Sequence, residues 1–222
     1  MRQVIGRTTA DLDAAAFAEL RAHHPGGLLV DLGTGDGKHV LAEARRRPDT
    51  LVVGLDAGPD AMRRTAARAA GKPAKGGVPN ALFVWASVEL LPVELRGVTE
   101  VHCLMPWGSL LRALLAPDQA VLSAVAGRCT PGARFLIALN LHAWRPPVPD
   151  VGGTPEPTPS TAGASLAAAY EAAGWSLDSA DYLAEAEVSQ LGTSWTKRLG
   201  SSRTTLDVLA LRGTISPGYE RA

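Results

Sequence analysis

The residues best suited to chemistry are carboxylates at the ends of two apolar runs. Leu28-Leu29-Val30-Asp31-Leu32 carries Asp31 and opens into Gly33-Thr34-Gly35-Asp36-Gly37; Leu51-Val52-Val53-Gly54-Leu55 closes on Asp56. A continuous apolar run marks a strand buried on both faces. Three glycines at alternate positions make a tight turn, and Val40-Leu41-Ala42-Glu43-Ala44 then resumes as a helix. Such a turn lies at the carboxyl end of a central strand, where open α/β sheets bind their ligands.

A dinucleotide site wants G-x-G-x-x-G with a pyrophosphate on the helix N-terminus. Here the third glycine, Gly37, falls one place early, and Asp36 sits where the pyrophosphate would approach. A carboxylate opposes a polyanion and suits a cation. S-adenosylmethionine carries a sulfonium and an ammonium, which Asp31 and Asp36 would face. Asp56 is placed to accept from both ribose hydroxyls. Ala86 and Ser87, after the next apolar run Ala81-Leu82-Phe83-Val84-Trp85, would offer backbone groups to the adenine. NAD binding is the competing reading.

If the cofactor is such a methyl donor, its acceptor would lie over the end of the fourth strand, where the sequence is Leu104-Met105-Pro106-Trp107. Enzymes that methylate an exocyclic amine of DNA often carry Asn or Asp ahead of Pro-Pro-aromatic. Here the aromatic is kept and the acceptor side chain is gone. A ring nitrogen with a free lone pair needs only to be held in line with the S–CH₃ bond. Trp107 is either a stacking face for a purine or a core or lid tryptophan. Trp195 lies in a polar stretch, Thr193-Ser194-Trp195-Thr196-Lys197-Arg198, with no apolar periodicity around it. Two tryptophans above one sheet edge would sandwich a flipped base, at roughly 1–3 kcal/mol of stacking per base. Methylation at adenine N1 makes the base cationic, which a Trp face favours. Two basic groups flank this pocket: Arg63, Arg64, Arg68, Lys72 and Lys75, then Lys197, Arg198 and Arg203. Each group is either a solvated face or a grip on an RNA backbone.

The elements that must position these residues alternate. Strands are expected at 28–32, 51–56, 81–86, 98–104 and 133–141, with helices between them, so the sheet is mostly parallel with helices on both faces. Arg2 to Arg7 reads as a short strand, and Thr8 or Thr9 as the cap of a helix carrying Leu12, Ala15, Ala16, Phe17 and Leu20 on one face. A helix at 164–173, a strand region at 175–188 and a final strand at 205–212 follow. The last two strands have no crossover helix between them and should pair antiparallel. Residues 145–160, with six prolines, and 190–204 read as long irregular linkers.

With 222 residues and 46% apolar content the chain supports one substantial core, not two comfortable domains. Lys+Arg and Asp+Glu both number 22, so any polyanionic partner must be met by a local patch. Cys103 and Cys129 lack metal spacing and read as reduced thiols of a cytoplasmic protein. No signal peptide, membrane span or metal site is read.

Residues 28–141 resemble the class I S-adenosylmethionine-dependent methyltransferases: Val30-Asp31-Leu32-Gly33-Thr34-Gly35-Asp36-Gly37 is the first motif and Gly54-Leu55-Asp56 the acidic tip. That resemblance implies a Rossmann-like α/β fold: a mostly parallel seven-stranded sheet with an antiparallel last strand, here with a short N-terminal strand extension. Met105-Pro106-Trp107-Gly108-Ser109-Leu110-Leu111, the N-terminal segment and the late Trp/Arg linker further resemble the Kam-type aminoglycoside-resistance methyltransferases, over essentially the whole chain. This implies a single domain, with an extension (1–27), a cofactor core (28–141) and substrate-recognition linkers (145–160 and 190–204). It implies a monomer that methylates N1 of the decoding-site adenine of 16S rRNA in the 30S subunit. On the same resemblance Asp31, Gly33, Asp56, Ala86, Leu104, Ser109 and Thr193 surround the cofactor, and Trp107 and Trp195 sandwich the adenine. Arg203 steadies the flipped nucleotide, with Arg198 as competitor, while Arg63, Arg64, Arg68, Lys72 and Lys75 grip the rRNA. The alternatives are a methyltransferase of another RNA or a small heteroaromatic, and a non-catalytic RNA-binding relative.

Overall fold

Strand β3 (Leu28–Leu32) is buried at every position, and its side chains divide between two cores. Val30 and Leu32 face one core and Leu29 the other; Val53 and Leu55 against Val52 repeat the split on β4 (Leu51–Asp56), and Leu82 and Val84 against Phe83 repeat it on β5 (Ala81–Trp85). This period-two division with no polar face is what a helix-covered parallel strand requires. The computed structural model describes residues 1–145, 151, 153–193 and 208–217.

Within these residues one sheet of nine strands runs β2-β1-β5-β4-β3-β6-β7-β9-β8. The remaining strands are β1 (Arg2–Ile5), β2 (Thr8–Asp11), β6 (Val98–Leu104), β7 (Cys129–Asn140), β8 (Trp175–Tyr182) and β9 (Val208–Ile215). β5, β4, β3, β6 and β7 are mutually parallel. β9 pairs antiparallel with both β7 and β8, as the missing crossover helix requires. Helices α2 (Lys38–Arg46) and α3 (Pro59–Ala69) cover one face of the sheet. α1 (Ala14–Ala22), α4 (Gly108–Leu115), α5 (Gln119–Ala126) and α6 (Pro159–Ala172) cover the other, around the buried cluster Phe135, Tyr170 and Trp175. α7 (Glu185–Gln190) packs Val188 with Leu104, Val208 and Ala210.

Four local expectations are corrected. The sheet has nine strands, not seven with one short extension, because Thr8–Asp11 folds back on Arg2–Ile5 as a hairpin instead of capping a helix. The two-residue turn Gly6-Arg7, with Gly6 at φ +59°, permits this. Asp13 caps α1, accepting from the Ala16 N–H, and α1 buries Phe17 while Ala15 and Ala16 are exposed. α6 begins at Pro159, with Thr158 and Thr161 in a reciprocal cap, so the irregular stretch ends earlier than Ser160. Finally, α7 occupies part of the expected strand region, its first turn held by the Glu187 carboxylate accepting from the Ala184 N–H. Residues 146–150 and 152 of the first linker and 194–204 of the second lie outside the described residues.

Cys103 and Cys129 are buried free thiols. Among the described residues no single helix is long and apolar enough to cross a membrane, and no cluster of three metal-ligating side chains occurs.

Candidate active site

β3 has β4 on one side and β6 on the other, so the strand order reverses between β3 and β6. The crevice outside the carboxyl ends of these strands is the expected ligand site of such a sheet. A cleft of about 460 Å³ occupies it. All ten residues expected around a cofactor line this cleft: Asp31, Gly33, Gly35, Asp36, Asp56, Ala86, Ser87, Leu104, Ser109 and Thr193.

The Gly turn is built for this position. Gly33, Gly35 and Gly37 all have φ between 57° and 71°, the left-handed region that L side chains avoid. The turn is tied to β4 through Gly33 and Thr34 N–H groups donating to the Leu55 carbonyl, at 2.9 and 3.0 Å. Asp56 completes the tie: its Oδ2 accepts from the Gly35 N–H and its Oδ1 from the Gly58 N–H, both at 2.8 Å. A carboxylate has about four lone-pair sites, so each Asp56 oxygen keeps acceptor capacity toward the cleft. Asp36 is paired with Lys38 at 2.6 Å, and its carbonyl accepts from the Thr65 hydroxyl. Asp31 is almost fully buried; burial pushes its carboxyl up, opposed by the nearby His39 and His102.

At the adenine corner Ala86 and Ser87 line the cleft, and the Ala86 N–H donates to the Asp56 carbonyl at 3.1 Å. Beside them Glu89 joins the lining. The cleft thus contains Asp31, Asp36, Asp56 and Glu89, and no Lys or Arg among its described lining residues.

The opposite wall comes from the end of β6. Met105 is the only described non-glycine residue with positive φ, at 54°. Such a conformation costs about 1–3 kcal/mol and persists only where its surroundings fix it. Here the Met105 N–H donates to the Ala138 carbonyl at 2.8 Å and its side chain is buried. This reversal sends Pro106 and Trp107 along the cleft, and Trp107 becomes the cap residue of α4. Trp107 is half-buried, packed against the main core while it lines the cleft. Trp195, Lys197, Arg198 and Arg203 lie outside the described residues.

The first basic group is brought together only in part. Arg64 and Arg68 are exposed on α3, and Lys72 and Lys75 are exposed on the loop that follows. Arg63 differs: it pairs with Asp60 at 2.9 Å and donates to the Arg7 carbonyl at 2.9 Å, so it fastens the N-terminal hairpin to α3. That contact brings the exposed Arg7 beside the patch, a neighbour that the sequence separation hides. Reasoning from the sequence also missed His39 and Leu110 in the cleft wall. Their only signal was position: one follows the Gly turn and the other follows Ser109.

Comparison with known proteins agrees with this architecture. The family model NpmA, 16S rRNA (adenine(1408)-N(1))-methyltransferase, matches residues 2–214. A 16S rRNA (adenine(1408)-N(1))-methyltransferase of Streptoalloteichus hindustanus is 54% identical over 217 residues, covering 98% of this chain and 100% of that protein. The crystal structure of the 16S rRNA methyltransferase KamB has a TM-score of 0.92 at 53% identity, covering 98% of this chain and 100% of that one. A mutant of the Catenulisporales acidiphilia 16S rRNA (adenine(1408)-N(1))-methyltransferase, crystallised with cosubstrate SAM, has a TM-score of 0.90 at 35% identity, with both chains covered in full. With a fold, a cleft and relatives of full length in agreement, the chain belongs to the 16S rRNA (adenine(1408)-N(1))-methyltransferase family.

Proposed function

We propose that this chain transfers a methyl group from S-adenosylmethionine to N1 of adenine 1408 in the 16S rRNA of the 30S subunit, and so confers aminoglycoside resistance. The observation that carries the reading is the cleft at the switch point, lined by four carboxylates and by no described cation, with Trp107 on its wall. That donor set fits a ligand with an ammonium, a sulfonium and a ribose diol, and opposes the pyrophosphate of NAD. When bound, S-adenosylmethionine supplies an electrophilic methyl on its sulfonium.

The chain's residues supply position. Asp56, with acceptor capacity remaining on both oxygens, is assigned to the ribose hydroxyls. Asp31 and Asp36 are assigned to the methionine end, and Ser87 with the Ala86 carbonyl to the adenine end. Gly33, Gly35, Leu104, Ser109 and Thr193 shape the remaining wall. Trp107 is assigned to one face of the flipped adenine and Trp195 to the other. No acidic or amide side chain follows β6 through Trp107, so no side chain there accepts from an exocyclic amine. Adenine N1 needs no such group, since its lone pair is free near neutral pH. The work left to the protein is to hold N1 in line and to face the developing cation with aromatic rings. Arg64, Arg68, Lys72 and Lys75, with Lys197, Arg198 and Arg203 from the second linker, are assigned to the rRNA backbone. Arg203 or Arg198 steadies the extruded nucleotide. The reading carries with it a single-domain cytoplasmic monomer, its two linkers meeting the ribosome.

The test is incubation of 30S subunits with radiolabelled cofactor, followed by primer extension through the decoding site. A stop at the adenine is expected, because N1 methylation blocks pairing. Label incorporated without a stop there refutes the position; no label refutes the activity.

A further inference from the structure

His39, in the first turn of α2, and His102, on β6, are both buried, and their Nε2 and Nδ1 atoms lie 2.8 Å apart. The outer nitrogen of each ring meets a group that only accepts. His39 Nδ1 is 2.6 Å from the Leu191 carbonyl, and His102 Nε2 is 2.8 Å from Glu100 Oε1. Three junctions separate these two terminal acceptors, and each needs one N–H. Two neutral imidazoles supply only two. Glu100 does not supply the third: its carboxylate accepts from Arg47 at 2.8 and 3.1 Å and from Arg134 at 2.7 Å. Burial alone would raise the Glu100 carboxyl, but the His102 and Arg47 contacts outweigh it and hold it well below the usual carboxylate range. Burial also works against charge on His39. The third proton therefore lies on the pair itself, shared across the junction between the two rings.

This chain of bonds starts at the segment leading to the cleft and passes beside Asp31. Asp31 and His102 are register partners on neighbouring strands, so their side chains share one face of the sheet. Leu191 caps α7 and leads through Gly192 to Thr193, which lines the cleft. The other charged groups facing the pair are accounted for. Glu43 on α2 is paired with Arg46 and Arg47. Glu187 on α7 is paired with Arg212 on β9 at 3.7 Å.

We infer that His39 and His102 are positioning residues that hold one proton beyond neutrality, and that this buried imidazolium is the counter-charge keeping Asp31 anionic while it pins Leu191, and with it Thr193, to the cleft wall. The inference rests on the reading of the cleft as the S-adenosylmethionine site. Its ligand-side consequence is that Asp31 stays available to the ligand's ammonium at lower pH than its burial alone would allow.

Glu100→Gln tests the charge while keeping every junction of the histidine chain bonded, and it gives up only the Arg47 Nη2 bond to Oε1. A Gln amide donates to His102 Nε2, so two ring protons then complete the chain and the pair becomes neutral. Calorimetric titration with S-adenosylmethionine across the acid range should show the loss of binding moved up by about one pH unit, with affinity about tenfold weaker inside that window. A folded Glu100→Gln protein, checked by thermal melting, with an unmoved acid limb overturns the inference. Two-bond ¹H–¹⁵N spectra of the ¹⁵N-histidine-labelled parent near neutral pH give the second reading. Three protons on the four ring nitrogens of His39 and His102 support it, and two overturn it whether or not the variant folds. If the parent binds no S-adenosylmethionine, the cofactor reading fails, while the nitrogen spectra still judge the shared proton.

Discussion

Two glycines of one turn should fail in different ways when given a methyl group. Gly37 has φ +71°, and a Cβ there would come within 2.3 Å of the Phe83 ring, which is 2% exposed and cannot swing away. Gly37→Ala therefore combines left-handed strain, roughly 1–2 kcal/mol, with overpacking of a rigid core, roughly 1–3 kcal/mol. The sum, about 2–5 kcal/mol, lowers the melting temperature by about 4–20 °C for a chain of this size. Gly35 has φ +57°, yet a Cβ there would meet nothing within 4 Å, and the residue lines the cleft. Gly35→Ala then costs only the strain, about 1–2 kcal/mol and about 2–8 °C. Its methyl group enters the space assigned to the cofactor, with an expected affinity loss of about tenfold or more. Melting curves of both apo proteins, with calorimetric titration of S-adenosylmethionine into each at a temperature where both are folded, decide it. The reversed order, Gly35→Ala the less stable and Gly37→Ala the weaker binder, refutes both the packing argument and the assignment of the cleft.

Trp107→Ala should reduce turnover on 30S subunits by roughly 5–150-fold, the equivalent of 1–3 kcal/mol of stacking, and change cofactor affinity much less. An equal loss in both assays contradicts the stacking role. Reversing Arg64 and Arg68 to Glu should weaken 30S binding and flatten its salt dependence by about one unit of log–log slope for each phosphate no longer neutralised, with S-adenosylmethionine affinity unchanged in filter and calorimetric assays. Arg63→Met, in contrast, should lower the melting temperature, because Arg63 joins α3 to the Arg7 carbonyl.

The parts that were legible in the sequence are those specified locally. The β3 run, the Gly turn and the Asp56 tip each announce themselves within a dozen residues, since burial on both faces selects apolar residues and positive φ favours glycine. What escaped was specified at a distance. Thr8–Asp11 is polar and short, so its local signal resembles a helix cap; it is a strand because Arg2–Ile5 offers it a partner and is itself held to β5 through Gln3 and Val84. α7 lacks a strong apolar period and is fixed by packing Val188 against Leu104, Val208 and Ala210. The His39–His102 contact spans 63 positions and two elements. Neither histidine has metal spacing, so nothing in the chain order marks them as a pair. The same holds for Arg63, which in sequence is one member of a basic run and in space is a fastening.

Asp31 shows where the fold is strained by what the cleft does. Its carboxyl is raised by burial, even against the opposing charge on the His39–His102 pair. A carboxyl whose folded pKa lies above its unfolded one stabilises the fold most below the unfolded value. That stability is lost as pH rises through the folded value. Glu100 has the opposite sign: held down by His102 and Arg47, it contributes stability above the ordinary carboxylate range that is lost as pH falls. Asp31 and Glu100 thus pull the apo protein in opposite directions from neighbouring strands. Asp31→Asn keeps the shape and removes the buried anion, so the apo variant should melt above the parent at neutral pH. The gap should close on acidification, where the parent's own carboxyl takes up its proton. The same variant should lose S-adenosylmethionine affinity, because the amide no longer answers an ammonium with charge. Paired melting and titration across pH measure both effects on one protein. A variant that melts below the parent at neutral pH would mean that the imidazolium more than offsets the burial of the Asp31 anion. A variant more stable and still tight-binding would mean that the ammonium is received elsewhere in the cleft.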